Sequence, residues 1–480
     1  MDKKVFINYI YNILYQIAKN LLSILIVPYV MGTLGESTLG ISDFASNIAS
    51  WFILFGVLGV NIYGNREIAK VRDDKDKPSV TFFEILFMQI CNMTIALVFF
   101  VLYSRYLVTN NNLIYYLTCF TIIANAIDIS WFYFGVEFFK IVSIRNIVIK
   151  FLGVALIMLL VKGPEDLWLY VVINGVGDLL GNIAMFFGLK KYIHPARFSI
   201  KDAYKHHFIS TFILFVPTIA NNVYNLLDQT MLGFLVEDKG EVALYKTAHS
   251  FVKMFLYFTT SLGAAMLPRV ANTFYKDNDY KQISSYIDTT FKFTLFLAVP
   301  MMCGFAFVAP YFIPWYLPLQ PSLILLIQIS CPIILLISVS NVLGYQFLIP
   351  TGHNKEYTTS LILGAVTNAI ANFILIPRFL GVGAAIGSVL AEFMVMFSQY
   401  LFVRGKLEVH ALKSFIKFVI AAGIMSVIVV LIGNFLGARI LTNLLQAFCG
   451  LIVYCTVLIV LKEETVYSAI GKIKERLKRS

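Results

Sequence analysis

Runs of about twenty apolar residues follow one another from end to end of the chain, each long enough to cross a hydrocarbon core about 30 Å thick as an α-helix. The length rule places about fourteen spans, at residues 5–31, 41–63, 81–104, 113–137, 143–161, 167–189, 208–235, 242–267, 286–309, 320–348, 357–376, 380–403, 412–434 and 440–461. The runs do not alternate apolar and polar in segments of about ten residues, as membrane β-barrel strands do. The predicted class is an all-α polytopic membrane protein. Short connections leave no room for a soluble domain.

Polar residues interrupt this pattern in order. Asn12, Gln16, Lys19 and Ser23 step by four, three and four, so the first span carries a polar stripe. The seventh span repeats it without a gap. Asn12 falls on Asn221, Tyr15 on Tyr224, Gln16 on Asn225, Lys19 on Asp228 and Asn20 on Gln229. Other pairs follow in the same order. Asp178 and Glu392 each precede a basic residue by twelve positions, Gly135 and Gly344 stand in like settings, and Leu58-Gly59 matches Leu262-Gly263. Spans 1–6 therefore correspond to spans 7–12. This predicts two pseudo-symmetric six-helix lobes, residues 1–206 and 207–408, related by an axis along the membrane normal. Spans 13 and 14 and a basic tail, residues 409–480, read as an appendage.

Composition agrees with this picture. The chain is 59% hydrophobic with a mean hydropathy of +0.78, where soluble proteins are roughly half apolar. The net charge of +11 needs no nucleic acid to explain it. About 27 Lys and Arg lie on one set of connections and about 5 on the other, which predicts both termini in the cytoplasm. The tail from Lys472 to Arg479 reads as a topology determinant against anionic lipid or as a lipid-binding helix. Lys3 and Lys4 before the first span resemble a signal peptide, but the run is too long and no small-residue cleavage pattern follows, so it reads as a retained span. The six cysteines lie in apolar spans with no CxxC pair, which suggests neither disulfide nor metal site. His206-His207 reads as part of a solvated loop.

Ionisable groups within spans are costly and normally face a bundle interior or water. Lys19 lies about 20 Å along the first helix, and Asp128, Asp178, Asp228, Lys253, Lys292 and Glu392 join it as candidates for lining a polar cavity. Each has a structural alternative. Lys292 is near enough to the interface to snorkel, Asp178 and Glu392 can hydrogen-bond within their lobes, and Lys19 and Asp228 can neutralise each other. Glu137 and Lys140 read as an end-of-helix pair or as cavity charges. Pro28 and Pro217 are hinge candidates, since each frees a backbone carbonyl; prolines are also common in membrane helices.

Several motifs carry a family resemblance: Pro28-Tyr29-Val30, Leu34-Gly35 and Gly40; Tyr63-Gly64-Asn65-Arg66-Glu67-Ile68-Ala69; Trp131-Phe132-Tyr133-Phe134-Gly135-Val136-Glu137; and Leu348-Ile349-Pro350-Thr351-Gly352. In order and spacing the chain resembles a Wzx-type polysaccharide flippase of the multidrug/oligosaccharidyl-lipid/polysaccharide exporter superfamily. The resemblance implies a non-enzymatic, multi-pass protein of the bacterial plasma membrane. It implies transfer of undecaprenyl-pyrophosphate-linked oligosaccharide to the outer leaflet by alternating access, driven by an H⁺ or Na⁺ gradient and without a cofactor. Partners would be the lipid-linked substrate, membrane lipids, and the polymerase and glycosyltransferases of the same pathway. Interior cations vary within the family, so no phosphate-binding set transfers by motif.

The residues themselves suit that substrate. Lys19 and Lys253, with Lys292, are candidate phosphate partners, and Asn12, Gln16, Asn225 and Gln229 are candidate sugar partners. Asp228, Asp128, Asp178 and Glu392 are candidate ion-coupling groups. The alternatives are a drug antiporter of the same superfamily, whose members usually have twelve spans, and a membrane polymerase or glycosyltransferase, which needs a larger catalytic loop than this chain carries.

Overall fold

A computed structural model describes residues 22, 24–277, 279–407, 411–464 and 467. Asn12, Gln16 and Lys19 lie outside the described residues, as do the side chains of Pro217 and Asn225. Every extended element among the described residues is a helix, and ten are long and apolar enough to cross a membrane. The chain divides into two compact units, residues 1–243 and 244–480. The sequence-derived lobe boundary at 206/207 lies one helix earlier.

The first unit contains α1 (Ile24–Leu34), α2 (Glu36–Val57), α3 (Val60–Val71), α4 (Lys77–Tyr106), α5 (Asn112–Ala126), α6 (Ser130–Gly135), α7 (Phe139–Leu160), α8 (Leu167–Leu189) and α9 (Ile200–Leu235). Tyr29, in the Pro28 motif of α1, donates its hydroxyl to the carbonyls of Val161 at 2.6 Å and Met158 at 3.0 Å. Those are C-terminal carbonyls of α7 with no partner further along their own helix. The second span breaks between α2 and α3, where Leu58 and Gly59 are both left-handed, at φ 51° and 79°. Glycine is required at 59 twice over, because a Cβ there would also sit 3.2 Å from the backbone of Thr211 and Phe215 on α9.

The unit's core lies around Trp131, Phe132 and Tyr133 of α6, all fully buried, with Phe82 of α4 and Met185 of α8. Phe82 and Phe132 meet edge to face at 5.2 Å, and Tyr133 donates to the Met185 carbonyl at 2.6 Å. The far half of α9 is tied to α2. Asn47 donates to the Leu226 carbonyl at 3.1 Å, and Thr230 joins Asn47 and Trp51 at 2.6 and 2.8 Å. Beyond α9, the Lys239 ammonium caps the Gly233 and Val236 carbonyls at 2.6 and 2.8 Å, the favoured sign of charge at a helix C-terminus. Burial lowers the Lys239 pKa, with Asp238 and Glu237 opposing. The Lys239 carbonyl packs directly onto Gly40 of α2.

The chain enters the second unit within α10 (Gly240–Met254), followed by α11 (Leu256–Thr259), α12 (Ser261–Asp277), α13 (Tyr280–Tyr316), α14 (Ser322–Ser330) and α15 (Pro332–Ser340). A π-helical turn (Asn341–Leu348) precedes α16 (Asn354–Val403), α17 (Ala411–Leu436) and α18 (Ile440–Val460). The 50 residues of α16 would span about 75 Å if straight; the helix bends at Leu380, φ 53°, so it consists of two helical segments. Phe296, Phe418, Met425 and Tyr454 pack α17 and α18 onto α13.

Two prolines in α13 find partners for the carbonyls they free. Pro300 cannot bond Phe296, and Tyr454 of α18 donates to the Phe296 carbonyl instead, at 3.0 Å. Pro310 cannot bond Ala306, and Gln328 of α14 donates to the Ala306 carbonyl at 3.1 Å. In lipid such carbonyls have no water to turn to.

Candidate functional site

The fourth span is discontinuous in the first unit. Its helix stops at Ala126 and resumes at Ser130, leaving backbone groups that hydrocarbon cannot satisfy. The side-chain amide of Gln89 on α4 fills this role. Its Nε2 donates toward the carbonyls of Asn125, Ala126 and Asp128 at 2.9, 3.2 and 3.0 Å. Its Oε1 accepts from the Trp131 indole at 3.0 Å. The Asp128 carboxylate caps α6, accepting from the Ser130 N–H at 2.8 Å and from the Ser130 hydroxyl at 2.5 Å.

Ser130 passes the contact on. Having given its proton to Asp128, its oxygen accepts from the Arg145 guanidinium at 3.1 Å. Arg145 also donates to Asn182 Oδ1, and the Asn182 amide donates to the Ala124 carbonyl at 2.6 Å. Asp128, Ser130, Arg145 and Asn182 thus form one chain across α6, α7 and α8, with the carboxylate and guanidinium compensating each other through a hydroxyl. Discontinuous spans with such groups are where transporters place their binding sites.

The chain opens into a cavity of about 300 Å³ between α7 and α8, with Ile26 of α1 at its rim. Arg145, Asn146 and Lys150 line it from α7; Tyr170, Asn174 and Asp178 line it from α8. Lys150 and Asp178 each sit about 16 Å along their helices, near the middle of a span. On α8 the sequence places Tyr170, Asn174, Asp178 and Asn182 four residues apart, so they stand one above another on the helix. Two cations, one carboxylate and several amides thus line one low-dielectric groove, a setting that can hold an anion against its cations with hydrogen-bonding groups beside it.

The predicted residues distribute as follows. Asp128 and Asp178 belong to this cluster. Asp228 is 2% exposed on α9, and Gln229 beside it is half-buried. Lys253 ends α10 and Glu392 is buried on α16, both in the second unit. Lys292 is held by Asp288 at 3.1 Å and Glu464 at 3.3 Å. Glu137 pairs with Arg72 at 2.5 Å, which raises the Arg72 pKa. His207 is 7% exposed rather than part of a solvated loop, because the packing of α9 on α3 and α4 covers it. Sequence reading missed Arg145 and Lys150. Arg145 lies within the apolar run of the fifth span, and the four-residue ladder of α8 was the available signal. Among the described residues no cluster of three or more His, Cys, Asp or Glu is placed to hold a metal ion.

The comparisons agree with this architecture. The sequence signature described as "Polysaccharide biosynthesis protein" matches residues 5–274, and that of MatE matches residues 214–374. A protein of Escherichia coli (strain K12) named "Putative O-antigen transporter" is 24% identical over 416 residues, 83% of this chain and 96% of that protein. The Shigella dysenteriae protein of the same name is 24% identical over 386 residues, 79% and 95% of the two chains. The fold is similar to that of "Lipid II flippase MurJ, inward closed conformation", with a TM-score of 0.75 at 15% identity over 96% of this chain and 100% of that one. It is also similar to an inward-facing multidrug resistance MATE family transporter of the MOP superfamily, with a TM-score of 0.56 at 13% identity over 82% and 93% of the two chains. The chain belongs to the family of polysaccharide biosynthesis proteins, whose signature covers more than half of its length.

Proposed function

We propose that the protein is a lipid-linked oligosaccharide flippase, moving undecaprenyl-pyrophosphate-linked repeat units from the cytoplasmic to the outer leaflet of a bacterial plasma membrane by alternating access. The observation that carries this reading is the groove within two apolar spans, lined by Arg145, Asn146 and Lys150 from α7 and by Tyr170, Asn174 and Asp178 from α8. The cations suit a pyrophosphate, the amides and phenol suit a sugar, and the polyprenyl tail stays in lipid. The name of the Escherichia coli relative and the fold shared with a lipid II flippase support it. In this reading the chain has fourteen spans, two six-helix lobes with an appended pair, and both termini in the cytoplasm. Lys19 and Lys253 serve as further phosphate partners, and an H⁺ or Na⁺ gradient drives the cycle. The MatE match over residues 214–374 favours as second reading a cation-coupled drug antiporter.

The test is purified protein in vesicles carrying a fluorescent undecaprenyl-pyrophosphate-linked trisaccharide. Translocation between leaflets is expected. Folded protein that leaves the trisaccharide in place but expels a cationic dye would overturn the flippase reading in favour of the antiporter.

A further inference from the structure

A second titratable cluster lies in the first unit, apart from the groove. Tyr63 of α3, Glu84 of α4 and His207 of α9 meet side by side. The Tyr63 hydroxyl stands 2.7 Å from His207 Nδ1, and His207 Nε2 stands 2.9 Å from the Glu84 carboxylate. The residues are 144 and 123 positions apart in sequence, so the fold itself brings them together. Tyr63 is 4% exposed, His207 7%, and the Glu84 side chain 13%. The phenol and imidazole rings meet at 66°.

The chemistry of the three groups assigns the protons. A neutral imidazole accepts at one nitrogen and donates at the other. Nδ1 accepts a hydrogen bond from the Tyr63 hydroxyl and Nε2–H donates to the Glu84 carboxylate, so the trio carries one negative charge. A single added proton enters at Nδ1, the phenol turns to accept from it, and an imidazolium–carboxylate pair of zero net charge replaces the buried anion. A proton held at Nδ1 makes the Nε2–H contact to Glu84 charge-assisted and ties the start of α9 to the first part of α3 and of α4.

Charged groups surround the site: the Arg66 guanidinium lies 5.8 Å from the centre of the Tyr63 ring, and Lys205 and His206, both exposed, precede His207 on α9. On α3, Arg66 and Lys70 are engaged with Glu67 at 3.1 and 2.8 Å. At the start of α4, Lys77 is paired with Asp74 at 2.9 Å. The titratable groups of α2 are Glu36 and Asp43, in its first half, about 20 Å or more from the α2–α3 break. On α9 itself, Tyr204 donates to Asn92 at 3.1 Å.

We infer that Tyr63, His207 and Glu84 form a proton site that couples transport to a proton gradient, an inference that rests on the transporter reading and names its coupling ion. One carboxylate beside an imidazole has far fewer than the six or so oxygen ligands that hard metal cations take, so the site selects H⁺ over Na⁺. Proton occupancy favours the arrangement with α9 held against α3 and α4; release favours the other.

The experiment uses the full chain in vesicles with the fluorescent trisaccharide lipid and measures its steady-state ratio between leaflets under imposed gradients. For the wild type, the ratio is expected to shift by up to about tenfold per pH unit for each proton carried and to ignore a sodium gradient. His207→Gln and Glu84→Gln, checked for monodispersity and thermal unfolding, are expected to lose the pH response. Tyr63→Phe retains the imidazole–carboxylate pair but removes the acceptor for the added proton, and is expected to weaken the pH response without abolishing it. A wild type driven by sodium rather than protons, or a His207→Gln protein with the full pH response, overturns the inference while leaving the flippase reading intact. Failure of the wild type to move the trisaccharide under any gradient defeats the flippase reading instead.

Discussion

The indole of Trp131 holds the Oε1 of Gln89 at 3.0 Å, and that one contact decides which way the Gln89 amide faces. With its oxygen engaged, the NH₂ must turn toward the three carbonyls of the interrupted fourth span. A side chain of one helix thereby serves as the missing ladder of another.

Gln89→Leu removes the donor and strands both the carbonyls and the indole N–H. A buried group left without its partner costs about 1–3 kcal/mol, so a loss near the upper end of that range is expected, read as a lowered thermal midpoint in detergent. A thermal midpoint unchanged from wild type would contradict the account.

Arg145 divides its guanidinium between Ser130 and Asn182, which a point charge on a flexible stem cannot reproduce. Arg145→Lys is expected to lower translocation of the trisaccharide lipid by about tenfold or more, corresponding to about 1.4 kcal/mol or more. Lys150→Met, which removes the second cation lining the groove, should lower it comparably. Wild-type transport by both variants would remove the groove from the mechanism.

Tyr454→Phe opens the Phe296 carbonyl and is expected to destabilise the protein by about 1–2 kcal/mol. Pro300→Ala restores the missing N–H within α13. In a double-mutant cycle the second change should absorb much of the first, with a coupling of about 1 kcal/mol. Additive effects would mean that the hydroxyl is not replacing the helix's own bond.

Gly40→Ala drives a methyl group into the Lys239 carbonyl, backbone against backbone, where no side chain can rotate away. Overpacking of that kind costs typically about 1–3 kcal/mol, whereas Gly153→Ala, with open space around its Cβ, should be neutral or stabilising because alanine is the better helix former. Thermal unfolding of the two variants side by side checks the contrast.

The helical spans were legible because apolar run length is a strong local signal, and the ladder from Tyr170 to Asn182 was legible in principle by its four-residue step. Buried charge was harder to weigh. Lys292 stands out as readily as Asp178, yet it meets Asp288 one turn away and Glu464 at 172 positions' distance, and only the second of these needs the fold. Gln89 has no sequence mark that ties it to a break about forty residues on. The same holds for His207, whose partners are selected by how α9 crosses α3 and α4.

The proline carbonyls of α13 also set a timetable. The partner of Ala306 is 22 residues downstream, whereas the partner of Phe296 is 158 residues downstream. At a synthesis rate of about 5–20 residues per second, Gln328 emerges from the ribosome within a few seconds, but Tyr454 follows Phe296 by roughly 8–30 s. For that interval one backbone oxygen in a nascent span must rely on water, the insertion machinery or a passing neighbour. Helix α18 is therefore a late-arriving keystone, and a ribosome that stops before it releases a chain whose ninth span is still unfinished.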